Sequence, residues 1–256
     1  MMRRINKWMG AILPSRLKKP ATDLSHSIAD YQNLVRNKLR LAPENRSLAL
    51  AQAIGADTMD SFRSQGDGHV AVLKVHGLRD GMAIYDLGCG CGRTAQALQR
   101  SGWCGYYKGA DVVPEFLAEL YDKCPDFDAV LNFTPRIVAE DNSLDIIFHW
   151  SVFTHLYPAE CYAYTLDAFR ALKPGGKMIF SFLELEDSAH GRVWDANLKR
   201  IEAGLRAEQL DAFLHRDWIC KFAQDAGFTT PLFTNGSDAS AHPAFWQTLA
   251  VLQKPG

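Results

Sequence analysis

The arrangement of apolar segments after Gly81 is the feature that most constrains the fold. Short apolar runs alternate there with segments of helical periodicity, which is typical of a parallel sheet flanked by helices. Seven runs are expected to be strands: 82–87, 105–110, 129–133, 144–150, 177–183, 228–233 and 245–252. Helices are expected between them at 94–101, 114–123, 158–172 and about 193–226. The pattern predicts an α/β protein with a doubly wound, seven-stranded, mostly parallel sheet.

The chain before this region divides into two parts. Residues 21–79 are predicted to form a helical extension, with helices at 28–41, 48–53 and 70–76 and a break at 64–68, where glycines and an aspartate occur. Residues 1–20 carry six basic residues and no acidic one, with apolar residues at helical spacing. This basic amphipathic segment could lie on an anionic membrane face, pack as a helix, or fray. Residues 80–256 are expected to form the main domain.

The composition indicates which binding partners and which cellular compartment to expect. The formal net charge of the 256 residues is -1, so no global positive field attracts nucleic acid and no such partner is expected. The six cysteines form no Cys-x-x-Cys pair and no zinc-finger spacing, which predicts reduced thiols and no metal site. No apolar run reaches the ~20 residues that span a bilayer. A cytoplasmic protein, with membrane association through residues 1–20 as one alternative, is expected.

A glycine-rich turn follows the first predicted strand, in the segment 84–94. Glycines at 88, 90 and 92 let the backbone approach a ligand closely. The dinucleotide fingerprint G-x-G-x-x-G would need a glycine where Arg93 stands, and the Gly-Lys-Ser/Thr of a P-loop is absent. Asp86, two residues before Gly88, would repel a phosphate group but attract a cation. The turn therefore favours a nucleoside ligand that carries positive charge.

A second acid, Asp111, ends the next predicted strand, 23 residues after Gly88. In nucleoside-binding α/β folds, an acid at about this place accepts hydrogen bonds from the ribose hydroxyls. Alone, Asp111 could equally cap the helix that follows. Its position after the glycine-rich turn favours the ribose interpretation.

Four segments in order resemble the motifs of class I S-adenosylmethionine-dependent methyltransferases, of the bacterial small-molecule type. The first is the acid and G-x-G-x-G of the turn, and the second is the strand that ends at Asp111. The third is the strand and loop at 142–156, and the fourth is the Leu-Lys-Pro-Gly-Gly turn within 169–179. The resemblance covers about residues 80–183, and Ala-Gly-Phe at 226–228 extends it.

The resemblance implies a Rossmann-like sheet with an antiparallel last strand and a helical insert after strand five, with 184–226 as a candidate substrate lid. It implies S-adenosyl-L-methionine as the cofactor, across the carboxyl ends of strands one, two and four. The cofactor-binding residues it implies are Asp86, Gly88, Cys89, Gly90, Gly92, Asp111, Val112, Asn132, Phe133, Trp150 and Ser151. Asn132 or Phe133 stands where the family commonly has an acid near the adenine, and Trp150 and Ser151 are expected at the thioether end.

Methyl transfer from a sulfonium mainly requires alignment and exclusion of water, and a hydroxyl acceptor also benefits from a base. His155 is the candidate catalytic residue, because family members often carry histidine there; it could instead hold a backbone group. His149 lies in a strand-like run and is expected in the core. His190 and His215 flank the insert and are weaker candidates.

The acceptor is predicted to be a small molecule. The Asn/Asp-Pro-Pro-aromatic motif of exocyclic-amine DNA methyltransferases and the Pro-Cys nucleophile of cytosine-C5 enzymes are both absent. Methylation of a sugar or secondary-metabolite hydroxyl is the leading hypothesis, with N-methylation of a small molecule or protein, or a non-catalytic binding protein on the same fold, as alternatives. An NAD-dependent oxidoreductase is disfavoured by Arg93 and Asp86.

Overall fold

A computed structural model describes residues 25–205, 210–238 and 246–256. The basic segment 1–20 lies outside these residues. Within them, no helix is long and apolar enough to cross a membrane.

Seven strands form one sheet in the order β3-β2-β1-β4-β5-β7-β6. The strands β1 to β5 are parallel where they pair, and β7 runs antiparallel to both β5 and β6. The strands are β1 Ala83–Leu87, β2 Tyr106–Asp111, β3 Asp128–Leu131, β4 Leu144–His149, β5 Leu172–Phe182, β6 Leu232–Thr234 and β7 Thr248–Gln253. This confirms the predicted seven-stranded, mostly parallel sheet with an antiparallel last strand.

Helices cover both faces of the sheet and precede it. They are α1 Ser25–Leu41, α2 Arg46–Ala53, α3 Met59–Val75, α4 Arg93–Arg100, α5 Pro114–Lys123, α6 Pro158–Ala171, α7 Gly191–Glu202 and α8 Arg216–Ala226. The first three bury their apolar faces against α5, through a cluster that includes Val35, Leu50, Phe62 and Phe116. The helical extension thereby packs beside the glycine-rich turn.

The predicted break at 64–68 is wrong, because α3 runs without interruption through it. A Cβ on Gly66 would lie 2.7 Å from the backbone oxygen of Arg93, so the glycine allows α3 to pack closely against α4. Close packing, and not a turn, explains the glycine.

Several other boundaries differ from the prediction; strand β6, for example, begins at Leu232 and not at 228. The predicted helix 193–226 is two helices, and residues 210–215 between them are not helical. There the amide of Ala212 donates to Thr154 O and that of Leu214 donates to Leu183 O, which ties this segment to the loops after β4 and β5. Strand β5 starts at Leu172 and not at Lys177, because Leu172 pairs with Leu144 before the register shifts.

Candidate functional site

The turn between β1 and α4 adopts a left-handed backbone at each of its glycines. The φ angles are +67° at Gly88, +55° at Gly90 and +87° at Gly92, a region that L side chains rarely adopt. A Cβ on Gly88 would lie 2.4 Å from a methyl carbon of Val152, in the loop after β4. The amides of Gly88 and Cys89 donate to Ala110 O on β2. The turn is therefore held against both neighbouring strands.

Asp111, at the end of β2, fixes this turn through its carboxylate. One oxygen accepts a hydrogen bond from Gly90 N at 2.9 Å, and the other accepts from Val112 N at 2.7 Å and Val113 N at 3.0 Å. Burial raises the pKa of Asp111 to about 6, against the effect of these three bonds. An ionised carboxylate offers about four lone-pair positions, so about one stays open for a ligand hydroxyl.

Asp86 is the second buried acid, at the end of β1. Its carboxylate accepts a hydrogen bond of 2.7 Å from the Tyr107 hydroxyl. Burial raises the pKa of Asp86 to about 7, although hydrogen bonds from Tyr107 and Thr94 lower it. A cationic group bound beside Asp86 would favour the ionised form.

A cavity of about 880 Å³ opens at the carboxyl ends of β1, β2 and β4. Its size lies within the ~300–1,000 Å³ that small-molecule sites occupy. Its walls include ten of the eleven predicted cofactor residues, and they also include His155. The exception is Gly92, which is the N-cap of α4 and lies against Leu120.

The residues predicted beside the adenine differ in their surroundings. The side chain of Asn132 forms its hydrogen bonds within its own loop. Its Oδ1 accepts from the backbone amide and the hydroxyl of Thr134, and its Nδ2 donates to Arg136 O. Phe133 is 44% exposed and lines the cavity. Asn132 therefore shapes the wall, while Phe133 offers an apolar surface.

Ser151, after β4, has φ +57°, an uncommon angle for a residue other than glycine. Its amide donates to Ser181 Oγ at 2.7 Å, and its hydroxyl accepts from Gln247 Nε2 at 2.7 Å. Ser181 Oγ also donates to Gln247 Oε1 at 2.6 Å. This closed network holds a left-handed backbone at the cavity wall, where such strain is often found at functional sites.

His155 has a defined tautomer in this structure. Its Nδ1 lies 2.6 Å from Leu210 O, and a carbonyl can only accept, so Nδ1 carries the proton and neutral His155 keeps its lone pair on Nε2. Burial lowers the pKa of His155, while the bond to Leu210 and the charge of Asp211 oppose this. The ring also stacks on Tyr31, with centroids 6.2 Å apart. A neutral imidazole with a free acceptor nitrogen is suited to take a proton.

The other three candidate histidines do not line this cavity. His149 is fully buried, stacks on Phe180, and has no hydrogen-bond partner among the described residues; burial lowers its pKa to about 3. His190 is buried beside the Glu184 backbone. His215 caps α8. The expected core position of His149 is confirmed.

Sequence reasoning missed several parts of the wall. Helix α1 crosses the cavity with Ile28, Asp30 and Tyr31, and Gln32 donates to Val112 O at 2.7 Å. Helix α3 contributes His69, whose Nδ1 lies 2.9 Å from Thr94 Oγ1. Helix α7 and the segment before β7 add six more: Arg192, Val193, Ala196, Arg200, Trp246 and Gln247. For the wall residues on α1 and α7, the sequence indicated only that they lie in helical segments.

The described residues contain no cluster of three or more His, Cys, Asp or Glu side chains that could hold a metal ion.

Comparisons with known proteins agree with this geometry. A family model described as a methyltransferase domain matches residues 84–176, from β1 to the start of β5. Residues 84–176 therefore match a methyltransferase domain, and the seven-stranded sheet that contains them has the fold of the class I methyltransferase superfamily. The methyl donor of this superfamily is S-adenosyl-L-methionine, and the cavity lies where its sheet binds ligands.

Solved structures share the fold at low sequence identity. Magnesium protoporphyrin IX methyltransferase of Synechocystis PCC 6803, with bound S-adenosylhomocysteine, is 15% identical with a TM-score of 0.58, over 88% of this chain and 99% of that one. An S-adenosylmethionine-dependent methyltransferase of Methanosarcina mazei is 15% identical with a TM-score of 0.56, over 72% and 97%. Phosphoethanolamine N-methyltransferase 2 of Haemonchus contortus is 16% identical with a TM-score of 0.58, over 87% and 60%. Because the acceptors named for the first and third of these proteins differ, the shared fold leaves the acceptor open.

Proposed function

We propose that this methyltransferase transfers the methyl group of S-adenosylmethionine to a hydroxyl group of a small molecule, a sugar or secondary metabolite, and that His155 is the base. The observation that carries the proposal is the His155 tautomer, because Nδ1 donates to Leu210 O, which leaves Nε2 as the acceptor nitrogen of a ring that lines the cavity.

The residues around the turn fit the chemistry of this cofactor. Asp86 is a carboxylate where a cationic amino group would be attracted, and Asp111 keeps about one acceptor position for a ribose hydroxyl. Val112 and Phe133 provide apolar surface for the adenine. The left-handed glycines leave the turn without side chains at the ligand. When bound, the cofactor supplies an electrophilic methyl group on a sulfonium.

The chain's own residues have three tasks in the reaction. His155 accepts the acceptor's hydroxyl proton at Nε2, and its bond to Leu210 O holds the ring in place. The Ser151 network fixes the wall after β4, where Trp150 and Ser151 are assigned to the thioether end. Helix α1 covers the cavity with Tyr31 and limits the access of water.

Calorimetric titration with S-adenosylmethionine, S-adenosylhomocysteine and NAD in parallel tests the donor. We expect micromolar binding of the two adenosyl ligands and none of NAD. Binding of NAD alone, or of none of the three, would refute the proposal.

The His155→Gln variant tests the base, once a screen that follows formation of S-adenosylhomocysteine has found an acceptor. A general base contributes about 10²–10⁴-fold, so kcat should fall in that range while affinity for the cofactor stays near the wild-type value. The His215→Gln variant is the matched control, because His215 lies outside the cavity. An unchanged kcat in His155→Gln would show that the histidine only holds the backbone.

A further inference from the structure

Helix α7 and Trp246 form one wall of the cavity. Arg192, Val193, Ala196 and Arg200 line it from positions i, i+1, i+4 and i+8 of α7, which lie on one side of a helix. Two arginines therefore line the same wall, and their partners differ.

Arg200 is already paired. Its Nη1 donates to Asp211 Oδ2 at 3.3 Å and to Asn197 Oδ1 at 3.0 Å. Asp211 also lines the cavity, so this pair adds no net charge to the wall.

Arg192 is held in a different way. Its guanidinium carbon lies 4.3 Å from the centroid of the Trp246 ring. This cation–π contact supplies no conventional hydrogen-bond acceptor to the N–H donors of the guanidinium. Within 25–205, 210–238 and 246–256, Arg192 makes no hydrogen bond and no ion pair. The donors remain available to a ligand.

The other charged residues of the cavity do not neutralise Arg192. Asp86 and Asp111 line the turn, at the ends of β1 and β2, and Arg93 there donates to Ile54 O. Asp30 on α1 already interacts with another group, and that group is not Arg192. An anionic group would therefore be repelled by the two buried acids and attracted by Arg192 at the α7 wall.

We propose that the acceptor of this methyltransferase carries an oxyanion, a carboxylate or a phosphate, that the N–H edge of Arg192 binds against Trp246. The proposal rests on the proposed function, because it takes the ligand of Arg192 to be the acceptor that shares the cavity with the cofactor. A guanidinium can bind a carboxylate or phosphate through two parallel hydrogen bonds, and contact with an indole restricts its motion before the ligand binds. The oxyanion would thereby anchor the acceptor away from the acids at the turn.

The test measures binding of three probes, benzoate, phenyl phosphate and benzamide, to the full chain with and without S-adenosylhomocysteine. The probes share an aromatic ring, and benzamide lacks the negative charge. We expect at least one of the two anions to bind tenfold or more tightly than benzamide, and the stronger of them identifies carboxylate or phosphate. No preference for either anion over benzamide would overturn the proposal.

Variants locate the site. Arg192→Gln should abolish the preference for the anion, Arg192→Lys should retain part of it, and Lys199→Gln should leave it unchanged. Lys199 is the matched control because it is an exposed cation on α7 outside the cavity. Undiminished preference in a folded Arg192→Gln protein, checked by circular dichroism, would overturn the proposal. Absent binding of S-adenosylhomocysteine together with an Arg192-dependent preference would refute the proposed function and leave the anion site standing.

Discussion

Replacement of Asp111 should separate the two tasks of its carboxylate, which are to fix the turn and to bind the ribose. The sequence alone suggests two hydrogen bonds to the ribose. The structure reduces this number, because three backbone amides already occupy three of about four lone-pair positions. One hydrogen bond to a charged group contributes about 1.5–3 kcal/mol. Asp111→Ala should therefore weaken S-adenosylhomocysteine binding by roughly 10- to 150-fold.

The same substitution should also destabilise the ligand-free protein. It leaves the amides of Gly90, Val112 and Val113 without their acceptor, and an unsatisfied buried donor costs about 1–3 kcal/mol. Asp111→Asn retains one acceptor oxygen and should lose less stability than Asp111→Ala while losing similar affinity. Urea unfolding measures the first effect and calorimetry on the folded protein measures the second. Unchanged affinity in folded Asp111→Ala protein would refute the ribose assignment.

Two further predictions concern the same turn. The pKa of Asp86 rises from 3.8 to about 7 on folding, so its protonated form stabilises the ligand-free protein at low pH and this contribution is lost as pH rises from about 4 to 7. If the ionised form binds the cofactor's ammonium, the affinity for the cofactor should rise roughly 20-fold between pH 5.5 and 7.5. Asp86→Asn should remove this pH dependence. Calorimetry that shows the same wild-type affinity at both pH values would contradict the assignment. Gly90→Ala should strain a left-handed backbone by about 1–2 kcal/mol and weaken S-adenosylhomocysteine binding, whereas Gly81→Ala, at φ +78° with no atom within 4 Å of its added Cβ, should incur the strain alone. Equal affinities of these two variants would show that Gly90 does not face the ligand.

The sheet and the turn could be predicted because both leave local signals. Buried strands are short apolar runs in the sequence. The left-handed φ angles at Gly88, Gly90 and Gly92 favour glycine, and a cluster of glycines is easily recognised in a sequence. Gly66 shows the limit of such signals. A glycine that breaks a helix and one that lets two helices touch look the same in a sequence, and only the neighbouring α4 distinguishes them.

The far side of the cavity could not be predicted, because its residues come together only by long-range packing. Tyr31 contacts His155 across more than a hundred residues of chain, and Arg192 contacts Trp246 across about fifty. Tyr31, Arg192 and Trp246 belong to no motif with fixed spacing. His155 was suggested by family resemblance, but its tautomer depends on Leu210, which the sequence could not place beside it.

Helix α1 has a kinetic consequence. It contributes Ile28, Asp30 and Tyr31 to the cavity wall, and the bond from Gln32 to Val112 O joins it to the loop after β2. A product the size of S-adenosylhomocysteine that leaves past α1 must first open these contacts. We therefore expect departure of the spent cofactor to be slower than the chemical step, so that the first turnover is a burst and the rate of later turnovers is set by helix opening.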